Sequence, residues 1–513
     1  MTTNTTRGDG FRSSDVMATI DDLEQRFPVN RWTVAGIPLW PLVRVRWFFD
    51  EWNRHHSPGG AGGGLTRSRL SRLAGLGQRH IDGVVTDRKD PGGRQPPGSV
   101  DVAMLSDGVL RRLGGQWVHP LCDPIVDRLK ARGLRVGVMS PAVGGQLPRA
   151  CPSVVVQRDI DAANALGALE ARLRPPAAAL DDVDAVRSFV RAAGSGFDGA
   201  VFSRSHLISL GARVARLADA WARRLRTWRP RLAFQVSYYG VEGMAFALAC
   251  HRAGIPVVEL QHGVQGGLHP AYAHLVVDAG ARHPLLPDWF WVWSAWEQDV
   301  ITSWASPTRH RVVVGGNPWL AAWQETPTPV MREAMARASS LQARAGGRPI
   351  ILVTLQPGLR ADEQLEPVRR LADRLGDGHV VWIRLHPVMI AERESIRRAF
   401  GGVAVELDEP SDLPLPAVLP AADVHVTHSS STVIDAVGFG VRSVLYSGYG
   451  AELFEPLVAR GLAVASSDDE ELATAVVNAA ARGRVPVQGE HLIEGALDEI
   501  LASLPAAQKG SAA

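Results

Sequence analysis

DVHVTHSSSTVIDAVGFGVRSVLYS, residues 423–447, decides how the chain is read. An apolar run (423–428) passes through hydroxyl residues into helical patterning over 431–439, and a second apolar run follows at 442–447. Strand, helix and strand with connections this short predict parallel strands joined by a crossover helix, since an antiparallel pair needs only a hairpin. The same alternation recurs upstream. After the loop 324–329 and a helix over 330–345 come PIILVTLQ (349–356), a helix over 362–375, HVVWIRLHP (379–387), a helix over 390–400 and VAVEL (403–407). Nearer the N-terminus, VDVAMLS (100–106), a helix over 121–132, LRVGVMS (134–140), PRLAFQVS (230–237), a helix over 241–253, IPVVELQ (255–261), FWVWS (290–294) and RVVVGG (311–316) form an earlier block.

Two blocks of domain size predict an α/β chain with two Rossmann-like lobes facing across a cleft. The expected division is an N-terminal extension with Gly/Pro-rich linkers at 1–99, a first lobe at 100–325, a second at 326–485, and a C-terminal helix and tail at 486–513. The extension is helical and rich in Trp and Arg: Trp32, Trp40, Trp47 and Trp52 stand beside Arg44 and Arg46. A length of 513 residues exceeds what one hydrophobic core fills. Hydrophobic residues at 46% and charged residues at 21% are ordinary for a globular chain, and a net charge of +2 gives no reason to expect nucleic acid. Cys122, Cys151 and Cys250 are too few and too scattered for a disulfide framework or a structural zinc site. The polar start, MTTNTTRGDGFRSSD, is not a secretory signal, and no apolar stretch is long enough to span a bilayer. A cytoplasmic protein is expected.

Ligands of open parallel sheets bind beyond the carboxyl ends of strands, so the residues there carry the functional reading. After 255–261 comes Glu259-Leu260-Gln261-His262-Gly263, whose imidazole suits general-base work near neutral pH, or is simply hydrogen-bonded in a loop. The glycine-rich continuation adds His269, Tyr272 and His274. Arg384-Leu385-His386-Pro387 closes 379–385; Arg384 and His386 share a strand face and suit a phosphate, and the proline stops the strand. His428-Ser429-Ser430-Ser431 leads into a helix whose N-terminus offers hydroxyls and amides to an anion, with Asp435 one turn inside and in reach of a ribose. The alternative there is a serine acting only as an N-cap.

These residues carry a resemblance. The segment from Arg384 to Gly450 resembles the donor-binding half of GT-B enzymes that build bacterial surface polymers, and is similar to CDP-glycerol glycerophosphotransferases and to capsular sialic-acid and Kdo transferases. In those families an R-x-H-P motif and a serine-rich motif hold the phosphate of a cytidine nucleotide. Arg384, His386 and Pro387, then Ser429, Ser430 and Ser431, match them, with Asp435 at the acidic position. His262 and Gly263 match a histidine–glycine motif that implies acceptor-side catalysis. From about 16 to 465 the chain also resembles capsule-type proteins through WPLVR (40–44), LSDGVLRR (105–112), Tyr238-Tyr239 and ELQHG (259–263). Ser106-Asp107-Gly108 stands where capsular sialyltransferases carry two acids and a glycine, and the serine motif lacks the aspartate–tyrosine lead-in of the glycerophosphotransferases.

The resemblance implies a glycosyltransferase that uses neither metal nor cofactor and takes a nucleotide-activated donor, CMP- or CDP-linked before UDP-linked. The acceptor is a glycan or a lipid-linked surface polymer. His262, helped by Glu259 or Asp107, is expected to deprotonate it, with Gly263, His269, Tyr272 and Tyr238 lining its side. A non-hydrolysing UDP-GlcNAc 2-epimerase and a non-catalytic assembly component are the rivals. Asp159-Ile160-Asp161 matches a D-x-D metal motif, but an N-cap is the expected role. The aromatic stretch 32–52 and the arginines of 65–80 either dock on anionic lipid at the inner membrane face or pack on the first lobe and stay solvated.

Overall fold

Fully buried strands rich in β-branched residues, such as Ile350–Thr354 and Val257–Leu260, are what a parallel sheet covered on both faces requires. A computed structural model describes residues 12–56, 98–141, 148–193, 199–277, 282–305, 309–466, 468–487 and 492–504. The linkers at 57–64 and 88–97, the basic run 65–80 and the tail after 504 lie outside these.

The N-terminal region contributes α1 (Ser13–Arg26), β1 (Thr33–Val34), β2 (Ile37–Pro38) and α2 (Trp40–His56). The first lobe follows with β3 (Val102–Leu105), β4 (Arg111–Leu113), β5 (Gln116–Val118), α3 (Cys122–Ala131), β6 (Val136–Ser140), β7 (Val154–Val155), α4 (Gln157–Leu173), β8 (Ala178–Ala179), α5 (Val183–Ala193), α6 (Arg204–Trp228), β9 (Leu232–Val236), α7 (Val241–Arg252), β10 (Val257–Leu260), β11 (Trp289–Val292), α8 (Ala295–Thr302), β12 (Arg311–Val314) and α9 (Pro318–Gln324). Its seven-stranded parallel sheet runs β12-β11-β10-β9-β3-β6-β7. The chain starts in the middle at β3, winds outward to β7, then returns along α6 to wind the other way from β9. β3 and β9 are therefore the neighbours from which the two halves diverge, the switch point where ligands bind.

The second lobe holds α10 (Pro329–Ala343), β13 (Ile350–Thr354), α11 (Ala361–Leu375), β14 (Val380–Arg384), α12 (Arg393–Phe400), α13 (Asp408–Asp412), α14 (Leu415–Val418), β15 (Val424–Thr427), α15 (Thr432–Gly438), β16 (Arg442–Leu445), α16 (Gly448–Leu453), α17 (Glu455–Ala459), β17 (Ala463–Ala465) and α18 (Asp469–Ala481). Its parallel sheet runs β14-β13-β15-β16-β17, with the switch point between β13 and β15. The last helix, α19 (Leu492–Ala502), closes the described chain. The two-lobed architecture expected from the alternation is present.

Several boundaries differ from the sequence reading. Residues 12–56 are not an appendage. Trp32, Trp40 and Trp47 are buried in the apolar cluster beneath the first sheet, together with Trp221 and Trp228 of α6. Arg44 is sealed there, 3.0 Å from Glu24, and donates to the carbonyls of Ala273 and His274. These tryptophans therefore pack on the lobe and present no face to lipid. The C-terminal helix is not a free end either. Ile493, Ala496, Leu497 and Ile500 of α19 cross back to pack with Cys122, Ile125 and Trp289 of the first lobe, and Arg128 of α3 and Arg132 at its C-cap pair with Glu494. VAVEL forms no ladder strand; only Glu406 bridges to Trp382. Asp159 and Asp161 lie inside the first turns of α4, whose N-cap is Val156, so neither is the cap.

Helix α9 makes one of the contacts between the lobes. Asn317 caps it, accepting from the amides of Trp319 and Leu320 with Pro318 in the first turn. The same Asn317 donates through Nδ2 to Asp435 at 3.1 Å, and Gln324 donates to the carbonyl of Gly438. Leu320 lies so close to Gly438 that a Cβ there would stand 2.4 Å from its Cδ2.

Candidate active site

In the first lobe the switch point carries Asp107 after β3, Tyr239 after β9 and His262 after β10. Ser237, between β9 and the tyrosine pair, adopts φ 59°, a left-handed conformation that costs a non-glycine residue energy and throws the chain over the sheet edge. Tyr239 Oη lies 3.0 Å from His262 Nε2. On the other side of the ring, Glu259 Oε1 is 3.8 Å from Nδ1. Glu259 itself is inaccessible on the central strand β10, held by Tyr272 Oη at 2.6 Å and Gln265 Nε2 at 3.2 Å.

Burial pulls the His262 imidazole toward neutrality, but Tyr239, Glu259 and Asp107 outweigh it and push its pKa up to about 10. Beside it, burial and the His262 charge pull His269 down to about 3. Two neighbouring histidines are thus fixed in opposite protonation states, His262 as a cation and His269 neutral. The general-base role expected of His262 thus meets an imidazole whose proton affinity is raised, by Tyr239 most and by Glu259 and Asp107 beside it.

Asp107 Oδ1 receives both the amide of Val109 and His119 Nε2, each at 2.9 Å. His119 Nδ1 accepts from the amides of Leu121 and Cys122, which fixes the proton on Nε2 and aims it at Asp107. Burial would raise the Asp107 pKa, but His119, Val109 and His262 hold it below the ordinary carboxylate value. His119 escaped the sequence reading; its only signal was a histidine a few residues before an expected helix start.

In the second lobe, Gln356 after β13 accepts the Ser429 amide at 2.8 Å, tying together the two strands of the switch point. The three serines do different things. Ser429 is buried, its hydroxyl turned to His428 Nδ1 and Gln356. Ser430 Oγ lies 2.9 Å from Thr432 Oγ1 and accepts the Thr432 amide, so it is engaged in the turn that leads into the helix, whose N-cap is Ser431. Ser431 is exposed with a free hydroxyl, and the amides of Ser430 and Ser431 are unpaired among the described residues. Of the three hydroxyls expected to hold a phosphate, those of Ser429 and Ser430 are engaged within the protein and that of Ser431 is open. Gly450 is required where the chain returns: a Cβ there would meet the His428 carbonyl at 2.1 Å.

Arg384 ends β14, and its Nη1 donates to the carbonyls of Pro410 and Leu413. Burial and the nearby Arg111 pull its pKa down to about 10, so it stays a cation. Pro387 opens a 3-10 turn over Pro387–Glu392, as expected of it. His386 accepts the Val388 amide on Nδ1, which leaves Nε2 as a donor. Burial, Arg111 and Arg384 lower its pKa, so it offers a hydrogen bond and not the charge expected of it.

Arg111, on the β4–β5 hairpin, was missed by the sequence reading, which had only the doublet Arg111-Arg112 as a signal. The hairpin leaves the first lobe and docks on the second. Leu113 packs against the cluster of Trp323, Met331 and Trp382, and Gly114 approaches Val330 so closely that a Cβ would be 2.7 Å from its side chain. The half-buried Arg111 guanidinium has no hydrogen bond or ion pair among the described residues, and burial lowers its pKa. It feels Asp107 and Asp435 and is felt by Arg384 and His386. Asp107 in turn feels His262. Residues of both lobes are thus linked in one electrostatic neighbourhood.

The remaining expected residues fall around this group. Tyr238 and Tyr272 are fully buried, Tyr238 donating to the Ala271 carbonyl, so neither faces an acceptor. Glu259 supports His262 from below. Gly263 is open, its carbonyl accepting from Gln261. Tyr239, stacked on Phe49 of α2 and tilted against His269, is the tyrosine at the surface of the site. Burial pushes the Asp435 pKa up to about 7 against the pull of Arg111, and Asn317 holds the side chain at the seam.

No family model matches the chain, and no curated protein sequence matches it. Among solved structures it is similar to the UDP-GlcNAc 2-epimerase from Methanocaldococcus jannaschii, at 12% identity and a TM-score of 0.44 over 78% of this chain and 99% of that one. It is similar to the UDP-GlcNAc 2-epimerase from Neisseria meningitidis, solved bound to UDP-GlcNAc, at 12% identity and a TM-score of 0.45 over 78% and 98% of the two chains. The calicheamicin glycosyltransferase CalG4 is similar at 14% identity and a TM-score of 0.42 over 79% and 98%.

Proposed function

We propose that the protein is a transferase that moves a sugar or sugar-like group from a nucleotide-activated donor to a glycan or lipid-linked acceptor of the cell surface, with a CMP- or CDP-linked donor favoured. The observation that carries this reading is that Arg111 of the first lobe acts electrostatically on Arg384, His386 and Asp435 of the second, with the open Ser430 and Ser431 amides about one turn before Asp435. No carboxylate among the described residues pairs with Arg111 or Arg384. Like charges held together are destabilised until an anion joins them, and a nucleotide phosphate fits that need.

In this reading the acceptor hydroxyl attacks the donor carbon, and the bond from that carbon to the phosphate oxygen breaks. Asp107 Oδ2, left open because Oδ1 takes both hydrogen bonds, receives the hydroxyl proton. Arg111 and Arg384 stabilise the charge that develops on the departing phosphate, and the His262 imidazolium steadies the Asp107 side of the cleft. Closure around α9 excludes water. The test is transfer of label from CMP-, CDP- and UDP-linked donors. Asp107→Asn should lower the rate roughly a hundredfold or more with donor affinity unchanged. Full activity in that variant removes Asp107 from the mechanism.

One observation favours a second reading. With Tyr238 and Tyr272 sealed and His262 cationic, the acceptor side has few groups of its own, as suits a nucleotide-sugar 2-epimerase acting without an acceptor. UDP-GlcNAc incubated with the protein in D2O separates the two. Deuterium at C2 without transfer supports the epimerase, and an unexchanged C2 supports the transferase.

A further inference from the structure

His119 makes one contact more than a helix start needs. It is buried just before α3, and its Nδ1 accepts the amides of Leu121 at 3.2 Å and Cys122 at 3.0 Å. Asp123 answers from inside the helix, its Oδ2 accepting the His119 amide at 3.0 Å. This reciprocal pair satisfies donors that a helix start leaves open. For that task asparagine would serve as well, because its Oδ1 stands where Nδ1 does. Histidine is longer. Its Nε2 reaches out of the cap to Asp107 Oδ1 at 2.9 Å.

Asp107 otherwise depends on its own loop. Its other hydrogen bond comes from the Val109 amide two residues on, which moves with that loop. Among the described residues His119 is the one side chain that hydrogen-bonds it. The ring is anchored on α3, whose Cys122, Ile125, Val126 and Leu129 are inaccessible in the first-lobe core. His262 from the loop after β10, Arg111 from β4 and Cys122 from the start of α3 also face Asp107 and act on it through space. Amides that donate to Nδ1 at the positive end of α3 draw charge from the ring, which makes the Nε2 proton a stronger donor.

We infer that His119 is a positioning residue of the transfer reaction, through which the amino end of α3 holds Asp107 with Oδ1 engaged and Oδ2 free to take the acceptor proton. The inference rests on the role given to Asp107 above and adds the group that aims it. Against burial, which would raise it, the bond from His119 leads the interactions that hold the Asp107 carboxyl below its ordinary value. The carboxylate is therefore ionised, and oriented, before an acceptor arrives.

The experiment compares the full chain with its His119→Asn, His119→Gln and Asp123→Ala variants. Asparagine keeps an acceptor for the α3 amides but falls short of Asp107, whereas glutamine can reach it with an amide donor. Asp123→Ala weakens the cap and leaves Nε2 alone. The first readout is an NMR titration of chains carrying 13C at the aspartate carboxyls, with the Asp107 resonance assigned by its loss in Asp107→Asn. The Asp107 midpoint should move to higher pH in His119→Asn, return most of the way in His119→Gln and stay in place in Asp123→Ala. The second readout uses the donor that supports label transfer. His119→Asn should lose roughly tenfold in kcat with the donor KM unchanged, the loss growing toward acid pH, and His119→Gln should recover most of it. An Asp107 midpoint that does not move in His119→Asn overturns the inference and leaves His119 a cap. So does an Asp123→Ala variant that shifts Asp107 as far, since the effect then comes from loosening α3. Full transfer by Asp107→Asn defeats the proposed base even where the midpoint shifts, so the two failures read differently.

Discussion

In the proposed reaction Arg111 and His262 carry the charges that matter most, and each has a testable signature. Among the described residues Arg111 has no carboxylate partner in contact, so its removal should weaken nucleotide binding and leave the fold intact. Arg111→Gln should cost about tenfold or more in affinity for a nucleoside diphosphate, the loss shrinking as salt rises, by calorimetric titration. His262 keeps its proton up to about pH 10. If its charge is what the reaction uses, the rate should hold steady through neutral pH and fall as pH climbs past about 10. A rate that rises through pH 6–7 would instead mark His262 as the base. The sequence showed His262, Arg384, His386 and the serines because each follows an apolar run at a strand end. It hid Arg111 and His119 because their importance comes from a hairpin crossing to the other lobe and from a ring nitrogen capping α3, neither of which has a local pattern. It put Tyr238 in place of Tyr239 because Ser237 turns left-handed and shifts which tyrosine points outward.

At the scale of elements, most strands and crossover helices were legible within a few residues, since period and punctuation are local signals. What was not legible was where the terminal helices go. α2 reads as a lipid-seeking Trp/Arg helix, yet its arginine holds the carbonyls of Ala273 and His274 and its Phe49 backs Tyr239. Trp47 is inaccessible and donates to Glu51, itself buried. Trp47→Ala should therefore destabilise the first lobe by about 3–5 kcal/mol, seen as a lowered melting temperature. An unchanged melting temperature would return α2 to the surface. Truncation after residue 491 removes the α19 side chains that cover α3. It should leave the first lobe aggregation-prone, whereas a disposable tail would leave solubility unchanged.

For the whole molecule, protonation links the site to stability. His269, His283 and His425 are each pulled down to about 3 by burial. Between about pH 3 and their unfolded value near ~6.5 the unfolded chain binds more protons, so stability falls as pH drops through that window. His262 acts in the opposite sense. Its contribution is complete below ~6.5 and is lost as pH rises through about 10. From these groups the melting temperature should peak near pH ~6.5, and His262→Gln should flatten only the alkaline limb. A flat acid limb would mean that the three buried histidines are hydrated.

The central claim is that cations from both lobes share one phosphate, and a crystal structure with a soaked nucleoside diphosphate tests it most directly. The account predicts phosphate oxygens between the Arg111 guanidinium and the Ser430 and Ser431 amides, with His386 Nε2 in hydrogen-bonding range. Phosphate bound elsewhere, or an Arg111 that turns away from a nucleotide held by one lobe alone, would contradict it.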